Sequence, residues 1–202
     1  MPSAKRWDVL VPVKPLDRAK SRLLGLPRET LMRAFALDTL AACSASSAVH
    51  ATYVVTHDED LAAIAGCERL PDLGEGDLNR ALLRAREQLP HDASIACLLG
   101  DLPCLREREL TAALEAVEGP GAVVADAAGT GSTLLAVPAA AGFTPRFGAD
   151  SFAAHVEAGY APSTLEVRSL RRDVDTADDL REAIALGVGP RTAEALRTHE
   201  GR

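Results

Sequence analysis

The sequence has little of what marks a membrane, secreted or zinc-binding protein. No apolar run in its 202 residues approaches the roughly 20 residues that a transmembrane helix needs. The apolar stretch nearest the N-terminus, 9–13, is too short for the core of a secretory signal. The four cysteines form no Cys-x-x-Cys pair and have no histidine at zinc-finger spacing. We therefore expect a cytoplasmic protein with no membrane span, no structural zinc and buried thiols.

Positive charge is scarce except near the start of the chain. The formal net charge is −7, whereas a nucleic-acid-binding surface needs a basic excess, so no nucleic-acid partner is expected. Residues 1–34 carry eight Lys or Arg and three Asp or Glu, a local charge of +5 against −12 for the remainder. All three lysines (Lys5, Lys14 and Lys20) lie in that segment. An anionic ligand is expected to bind near it.

Several enzyme motifs are also missing. The chain has no G-x-x-x-x-G-K-[ST], no complete G-x-G-x-x-G, no G-x-S-x-G and no H-E-x-x-H. The sequence therefore lacks the motifs that would support a Walker ATPase, a fingerprinted NAD enzyme, a serine hydrolase or a zincin. For the five histidines we expect surface or capping roles, so the chemistry is predicted to rest on groups other than His or Cys.

Apolar, β-branched runs alternate with amphipathic stretches along the whole chain. Strands separated by helices of this kind indicate βαβ units and an α/β fold with a mainly parallel sheet. The length and the 47% hydrophobic content fit a single domain, 1–202. The predicted strands are 8–13, 51–56, 68–71, 94–99, 122–125, 132–137 and 164–167. The predicted helices are 29–45, 57–66, 78–89, 106–117, 149–159 and 177–186, with a loosely attached helix over the last dozen residues.

Ligands in such sheets bind outside the carboxyl ends of the strands. The loops after Val13, Thr56, Leu99 and Val137 are therefore the expected places for a site. The first of these loops is basic. Its Lys14, Lys20 and Arg22 can bind a polyphosphate through charge and through amide groups at a helix start. The alternative is a solvated basic loop.

Two acidic motifs follow later in the chain. In the segment 98–103, a buried strand leads through Gly100 to Asp101 and a proline, which presents a carboxylate suited to Mg²⁺. The alternative for Asp101 is an N-cap of the next helix. Asp173 and Asp175 alternate along an extended segment, so they project to the same side and repel unless a cation lies between them. The three aspartates predict a Mg²⁺ cradle for displacement at phosphorus.

Six motifs occur together and in a specific order. Across about 8–196 the chain resembles the phosphoenolpyruvate/2-phospholactate guanylyltransferases of deazaflavin coenzyme F-420 biosynthesis. The motifs are VPVK at 11–14 with AKSRL at 19–23, the segment 72–82, LLGDLP at 98–103, GTGSTLL at 129–135, FGADSFAAH at 147–155 and RDVDTADDL at 172–180.

The resemblance implies a single-domain Rossmann-like nucleotidyltransferase fold, of the nucleotide-diphospho-sugar transferase type, with a mainly parallel mixed sheet flanked by helices. It implies transfer of GMP from GTP to a phosphorylated three-carbon carboxylate, with phosphoenolpyruvate favoured over 2-phospho-L-lactate, and release of pyrophosphate. No general base is required, because a substrate phosphate with a second pKa of about 6 is already dianionic at neutral pH.

The resemblance also assigns residues. It places the phosphorylated acid at Thr133, Gly148 and Ser151, and Mg²⁺ at Asp101, Asp173 and Asp175. The alternatives are that Thr133 is an ordinary strand threonine and that Ser151 is a helix N-cap, as the residues alone would indicate. We expect the lysines and the arginine of the basic loop to bind the triphosphate, and a loop near the base to contain Gly74, Gly76 and Asn79. The chain departs from the family at Asp77, where glycine is common, which adds charge near the proposed guanine site.

Other functions remain open at this point. A nucleotidyltransferase for a sugar phosphate or for the molybdopterin cofactor would share the first and last motifs. A non-catalytic nucleotide or metabolite sensor would keep the fold, although it would have less need for all three aspartates. The expected partners are GTP and a small phosphorylated carboxylate, with handover of the product to the next pathway enzyme.

Overall fold

The computed structural model describes residues 6–13, 22–23, 26–138 and 142–200. The strands are β1 (Trp7–Pro12), β2 (Arg22–Leu23), β3 (Leu26–Pro27), β4 (Val49–Val55), β5 (Glu68–Leu70), β6 (Ser94–Leu98), β7 (Ala122–Ala125), β8 (Ser132–Val137) and β9 (Ala161–Pro162). The helices are α1 (Arg28–Ala45), α2 (Glu59–Ala65), α3 (Leu78–Arg86), α4 (Glu107–Glu115), α5 (Ser151–Glu157), α6 (Ala177–Leu186) and α7 (Pro190–Glu200). No helix in the described ranges has the length and apolarity to cross a membrane.

Seven of the strands form one sheet in the order β5-β4-β1-β6-β8-β7-β9. Every pairing is parallel except those of β8, which runs antiparallel to both β6 and β7. The short strands β2 and β3, which were not predicted, form a separate antiparallel pair beside α1. The prediction of a mainly parallel, mixed α/β sheet is confirmed.

The central strand β1 is buried on both of its faces. Val9 and Val11 pack with Leu40 of α1 in one apolar cluster, while Leu10 packs with Leu82 of α3 in another. A strand covered on both faces needs apolar residues at every position rather than at alternate ones. This requirement explains the continuous run DVLVPV and places helices on both sides of the sheet.

The predicted strand at 164–167 is wrong. The chain instead joins the sheet edge at Ala161, immediately after the buried Tyr160. The amides of Ala161 and Ser163 donate to the carbonyls of Gly121 and Val123, at 2.9 and 2.8 Å. The Val167 amide donates to the Leu165 carbonyl at 3.0 Å and forms a local turn. In a strand, this amide would instead pair with a neighbouring strand.

The C-terminal helix is not loosely attached. Asp38 of α1 is only 6% exposed, and its two carboxylate oxygens accept the amides of Arg191 and Thr192 at 3.0 and 2.8 Å. A Cβ at Gly189 would lie 2.3 Å from the Asp38 Cγ, so glycine permits this close approach. A charged cap supplied by another helix therefore fastens the first turn of α7 to the core.

The four cysteines are free thiols, as predicted. Cys43, Cys97 and Cys104 are buried and Cys67 is half-buried. Burial raises the pKa of the Cys104 thiol to about 11, so this group stays protonated at neutral pH.

We predict that Asp38→Ala destabilises the protein by about 2–3 kcal/mol, because two backbone amides lose a charged acceptor. Urea denaturation measures the change. The matched control is Asp92→Ala at an exposed turn residue, where we expect a change within about 0.5 kcal/mol. Equal losses in the two variants would contradict the role assigned to Asp38.

Candidate active site

A cavity of about 660 Å³ opens at the carboxyl ends of β1 and β6. It is lined by the ends of these two strands, by Arg28 and Met32 of α1, by Leu78 of α3, and by three loop segments. These segments and the element starts that follow them contribute Asp126, Thr130, Gly131, Ser132 of β8, Phe147, Gly148, Ala149, Asp150, Ser151 of α5, Asp173 and Asp175. Of the four predicted ligand loops, the one after Leu99 is confirmed as a cavity wall by Gly100 and Asp101. Val13 also lines the cavity, but the loop that follows it lies outside the described residues.

The predicted loop after Val137 begins at the far edge of the sheet, but its described residues 147–150 line the cavity before α5 begins. Val137 pairs with Ile95 at the start of β6, whereas Leu134 pairs with Leu98 at its end. Because β8 is antiparallel, its amino end also reaches the cavity, and Ser132 forms part of the wall. The prediction assumed a parallel strand, and strand direction was not evident from the residues.

The loop after Thr56 is the predicted place whose described residues do not line the cavity. Asp58 there caps α2 by accepting the Leu61 amide at 2.9 Å. The same carboxylate accepts a hydrogen bond from Arg33 Nη1 at 2.6 Å. The polar groups of this loop therefore hold α2 to α1.

Asp101 lies in the loop after β6, which packs against α1 and β1. The Thr39 hydroxyl of α1 accepts the Leu102 amide at 3.2 Å and donates to the Phe35 carbonyl at 2.9 Å. A Cβ at Gly100 would lie 3.1 Å from the Pro12 carbonyl oxygen, so the turn packs closely on β1. The N-cap of α4 is Arg106, which excludes the reading of Asp101 as that cap.

Asp173 and Asp175 reach the cavity on either side of a buried residue. The Val174 side chain is fully buried, and its amide donates to the Asp101 carbonyl at 3.1 Å. The two aspartates therefore face the same side, as predicted. Thr176 forms a capping box with Asp179 at the start of α6, so Asp179 has a structural role in this run.

Asp126 is an acid of the site that the sequence motifs did not identify. It follows β7 directly, and its carboxylate oxygens accept the amides of Thr130 and Gly131 at 3.0 and 2.8 Å. Its backbone carbonyl accepts Arg171 Nη2 at 2.8 Å. The available signal resembled the one that indicated Asp101: an acid at the end of an apolar strand, followed here by a glycine-rich turn that begins at Gly129.

The acids interact electrostatically. Burial, and then the nearby charge of Asp126, raise the pKa of Asp173 to about 6. Arg28 partly offsets the charge, since its Nη2 lies 3.7 Å from Asp175 Oδ1 and its Nη1 donates to the Asp175 carbonyl at 3.3 Å. Among the described residues, Arg28 is the one basic side chain in the cavity wall.

The carboxylates of the cavity can hold a divalent cation only if a bound ligand supplies some of the coordinating atoms. Within the described ranges, no three Asp, Glu, His or Cys side chains converge as a ready-made metal site. Mg²⁺ commonly takes one or two carboxylates together with waters and substrate phosphates. Carboxylate oxygens around a common cavity, one with a raised pKa, suit a cation that arrives with phosphate groups.

Two of the three residues assigned to the phosphorylated acid line this cavity. Gly148 has a φ of +142°, and a Cβ there would meet no atom within 4 Å, so conformation rather than space favours glycine. Ser151 begins α5 and is 2% exposed; its cap residue is Asp150, so Ser151 is not the N-cap. Thr133 is fully buried behind the wall, and its Oγ1 has no hydrogen-bond partner among the described residues.

The base-proximal loop is held by its own polar groups. A Cβ at Gly74 would lie 2.2 Å from the Asp77 carbonyl oxygen, and Gly76 has a φ of +92°. Asp77 caps α3 by accepting the Arg80 amide at 3.1 Å. In the described part of this loop, Leu78 alone lines the cavity. The carboxylate of Asp77 is therefore exposed and caps the start of α3.

Asn79 joins the two sides of the cavity. Its Nδ2 donates to the Phe147 carbonyl at 2.9 Å, and its Oδ1 accepts the Phe147 amide at 2.7 Å. The side chain therefore holds the segment that precedes Gly148. Lys14 and Lys20 lie outside the described residues, and Arg22 is described only as part of β2.

The sequence matches a protein family over residues 7–200, and that family is described as guanylyl transferase CofC-like. The chain belongs to this family. The Rossmann-like nucleotidyltransferase fold is confirmed by solved structures, and the chain is a nucleotidyltransferase enzyme. One such structure is 4-diphosphocytidyl-2C-methyl-D-erythritol synthase, with a TM-score of 0.64 at 12% identity over 90% of this chain and 99% of that one.

Relatives in this family are similar along nearly their whole length. The phosphoenolpyruvate guanylyltransferase of Streptomyces scabiei (strain 87.22) is 46% identical over 94% of this chain and 95% of its own. The phosphoenolpyruvate guanylyltransferase of Streptomyces avermitilis is 48% identical over 94% of each chain.

We predict that Asp126→Asn lowers the pKa of Asp173 from about 6 toward its ordinary value, because a neighbouring negative charge is removed. Carboxyl-carbon NMR titration of the metal-free protein measures it. The control is Glu87→Gln, a surface change at the far end of α3. A pKa of Asp173 that is the same in wild type and Asp126→Asn would contradict the coupling.

Proposed function

We propose that this protein transfers GMP from GTP to phosphoenolpyruvate and releases pyrophosphate, as a step of deazaflavin coenzyme F-420 biosynthesis. The observation that carries the proposal is one cavity in which Asp101, Asp173 and Asp175 face Gly148 and Ser151. Carboxylates for a cation and polar groups for an anionic acid are thus within one space. The names of the relatives support the same acid.

The phosphorylated acid binds at Gly148, Ser151 and Thr133 in this proposal. The Gly148 backbone is exposed to the cavity with no side chain in the way. The Ser151 hydroxyl lines the wall. The Thr133 hydroxyl is buried without a partner among the described residues, which is costly unless a ligand or a water supplies one.

The triphosphate of GTP binds between the acids and the basic segment. Lys14, Lys20 and Arg22 contact the phosphates in this proposal, and the loop with Gly74, Gly76 and Asn79 lies toward the base. Asp101, Asp173 and Asp175 hold Mg²⁺, which supplies charge neutralisation and orientation of the phosphate oxygens when bound. Arg28 remains beside Asp175 and keeps that carboxylate near the phosphates.

The residues of the chain bind and orient the reactants and do not transfer a proton. A phosphate oxygen of the acid attacks the α-phosphorus of GTP, forming one P–O bond while the bond to the β-phosphate breaks. The attacking group is already dianionic at neutral pH, since its second pKa is about 6. This agrees with a cavity wall that contains no His or Cys among its described residues.

The test is pyrophosphate release from GTP, Mg²⁺ and phosphoenolpyruvate, with rapid mass spectrometry because the guanylylated product is labile. The panel includes 2-phospho-L-lactate, a hexose 1-phosphate and molybdopterin. We expect the highest kcat/KM with phosphoenolpyruvate. Turnover confined to a sugar phosphate or molybdopterin would overturn the proposal, and GTP binding without any turnover would identify a sensor instead.

We predict that Asp173→Asn lowers kcat by about 100-fold or more, since a cation ligand contributes several kcal/mol to the transition state. The matched control is Asp178→Asn, an exposed acid in the same segment that pairs with Arg181. Its kcat is expected to stay within about twofold of wild type. Steady-state kinetics at saturating Mg²⁺ measures both variants, and equal rates for wild type and Asp173→Asn would refute the metal assignment.

Divalent-cation affinity is predicted to fall as the pH drops from 7 to 5. Asp173 binds a cation only in its ionised form. Because its pKa is about 6, protonation of this carboxylate competes with cation binding between pH 7 and 5. Mn²⁺ binding followed by electron paramagnetic resonance measures the affinity. In Asp126→Asn the decline is expected at lower pH, because the competing proton binds less tightly. A pH-independent affinity would contradict this.

A further inference from the structure

His155 of α5 is bonded at both ring nitrogens. The residue is fully buried, and its ring packs edge-on against Phe147 with centroids 5.0 Å apart. Its Nε2 lies 2.8 Å from the Arg146 amide nitrogen, and its Nδ1 lies 3.0 Å from Ser132 Oγ. This histidine joins three parts of the cavity wall, although no role beyond a surface or cap position was predicted for it.

The two contacts determine where the imidazole proton lies. A backbone amide can only donate, so Nε2 must accept and carries no proton. A neutral imidazole then has its proton on Nδ1, which donates to Ser132 Oγ. Burial, together with the charge of Arg146, lowers the pKa of His155 to about 4, which agrees with a neutral ring.

Because His155 donates to Ser132 Oγ, the proton of the Ser132 hydroxyl is available for a hydrogen bond to another group. Ser132 Oγ accepts from His155, and among the described residues no other partner of that hydroxyl is found. Ser132 is 2% exposed and lines the cavity with Gly131, Gly148 and Ser151. Its proton can therefore be donated into the side of the cavity where the phosphorylated acid is proposed to bind.

We infer that Ser132 is a further substrate-binding residue, whose hydroxyl donates to an anionic oxygen of the phosphorylated acid, and that His155 is its positioning residue. The inference rests on the proposed function. His155 fixes the direction of the hydroxyl by donating to it. It also holds the Arg146 amide next to Phe147, whose own amide Asn79 holds at 2.7 Å, so Gly148 is placed by two side chains.

The first experiment compares Ser132→Ala with Ser132→Thr. Loss of a hydrogen bond to a charged group is expected to raise the KM for phosphoenolpyruvate by about 10- to 100-fold in Ser132→Ala. The KM for GTP should stay within about twofold. Threonine restores the hydroxyl and should bring the KM for phosphoenolpyruvate back within about threefold of wild type.

The matched control is Ser94→Ala. Ser94 is also a strand serine with one hydrogen bond, to the Pro138 carbonyl at 2.8 Å, but it lies at the amino end of β6. Both KM values of this variant are expected to match wild type. A KM for phosphoenolpyruvate raised equally in Ser94→Ala would show a general structural effect and overturn the inference.

The second experiment separates the two contacts of His155. His155→Asn keeps an N–H donor near the Nδ1 position, and His155→Gln keeps an acceptor near the Nε2 position. The asparagine variant loses only the contact with the Arg146 amide, so we expect its KM for phosphoenolpyruvate to rise less than that of the glutamine variant. The glutamine variant should raise it as Ser132→Ala does, with thermal denaturation recording the stability of both. The reverse order would overturn the role of Nδ1.

The outcomes distinguish this inference from the function on which it rests. Wild-type protein that releases no pyrophosphate with phosphoenolpyruvate would overturn the proposed function. Wild-type turnover with an unchanged KM for phosphoenolpyruvate in Ser132→Ala would overturn only the role of Ser132. Equal increases of both KM values in that variant would likewise overturn it, because a substrate-specific contact changes one of them.

Discussion

Carboxylates that repel one another share a single cavity because backbone hydrogen bonds hold the segments that carry them. The Val174 amide donates to the Asp101 carbonyl, and Arg171 donates to the carbonyl of Asp126. These bonds involve the backbone, so they leave the side chains at the cavity and do not neutralise them. The raised pKa of Asp173 is the electrostatic consequence, and a bound cation would relieve it.

The segment 146–148 at the cavity is held differently, because its residues belong to no strand and have no sheet partner. The amides of Arg146 and Phe147 donate to His155 and Asn79, which belong to helices on either side of the segment. Side chains thus replace the missing strand partners of an irregular loop. The segment that contains Arg146 and Phe147 is therefore connected directly to α3 and α5.

Much of the chain could be predicted from local patterns. The alternation of strands and helices and the positions of Asp101, Asp173 and Asp175 follow from residues close together in sequence, whereas Gly148 was indicated only by the family resemblance. Asp126 was missed although the same strand-end pattern precedes it. The strand at 164–167 was wrong because a turn at Leu165 uses the amide of Val167 locally.

By itself, the sequence determined the fold class, the family and the acids at strand ends, because strand periodicity and short motifs are local properties. Only the tertiary structure decided the direction of β8, the capping of α7 by Asp38, and the pairing of Asn79 with Phe147. The last two contacts join residues 154 and 68 positions apart. Such contacts depend on the path of the whole chain, which no local pattern encodes.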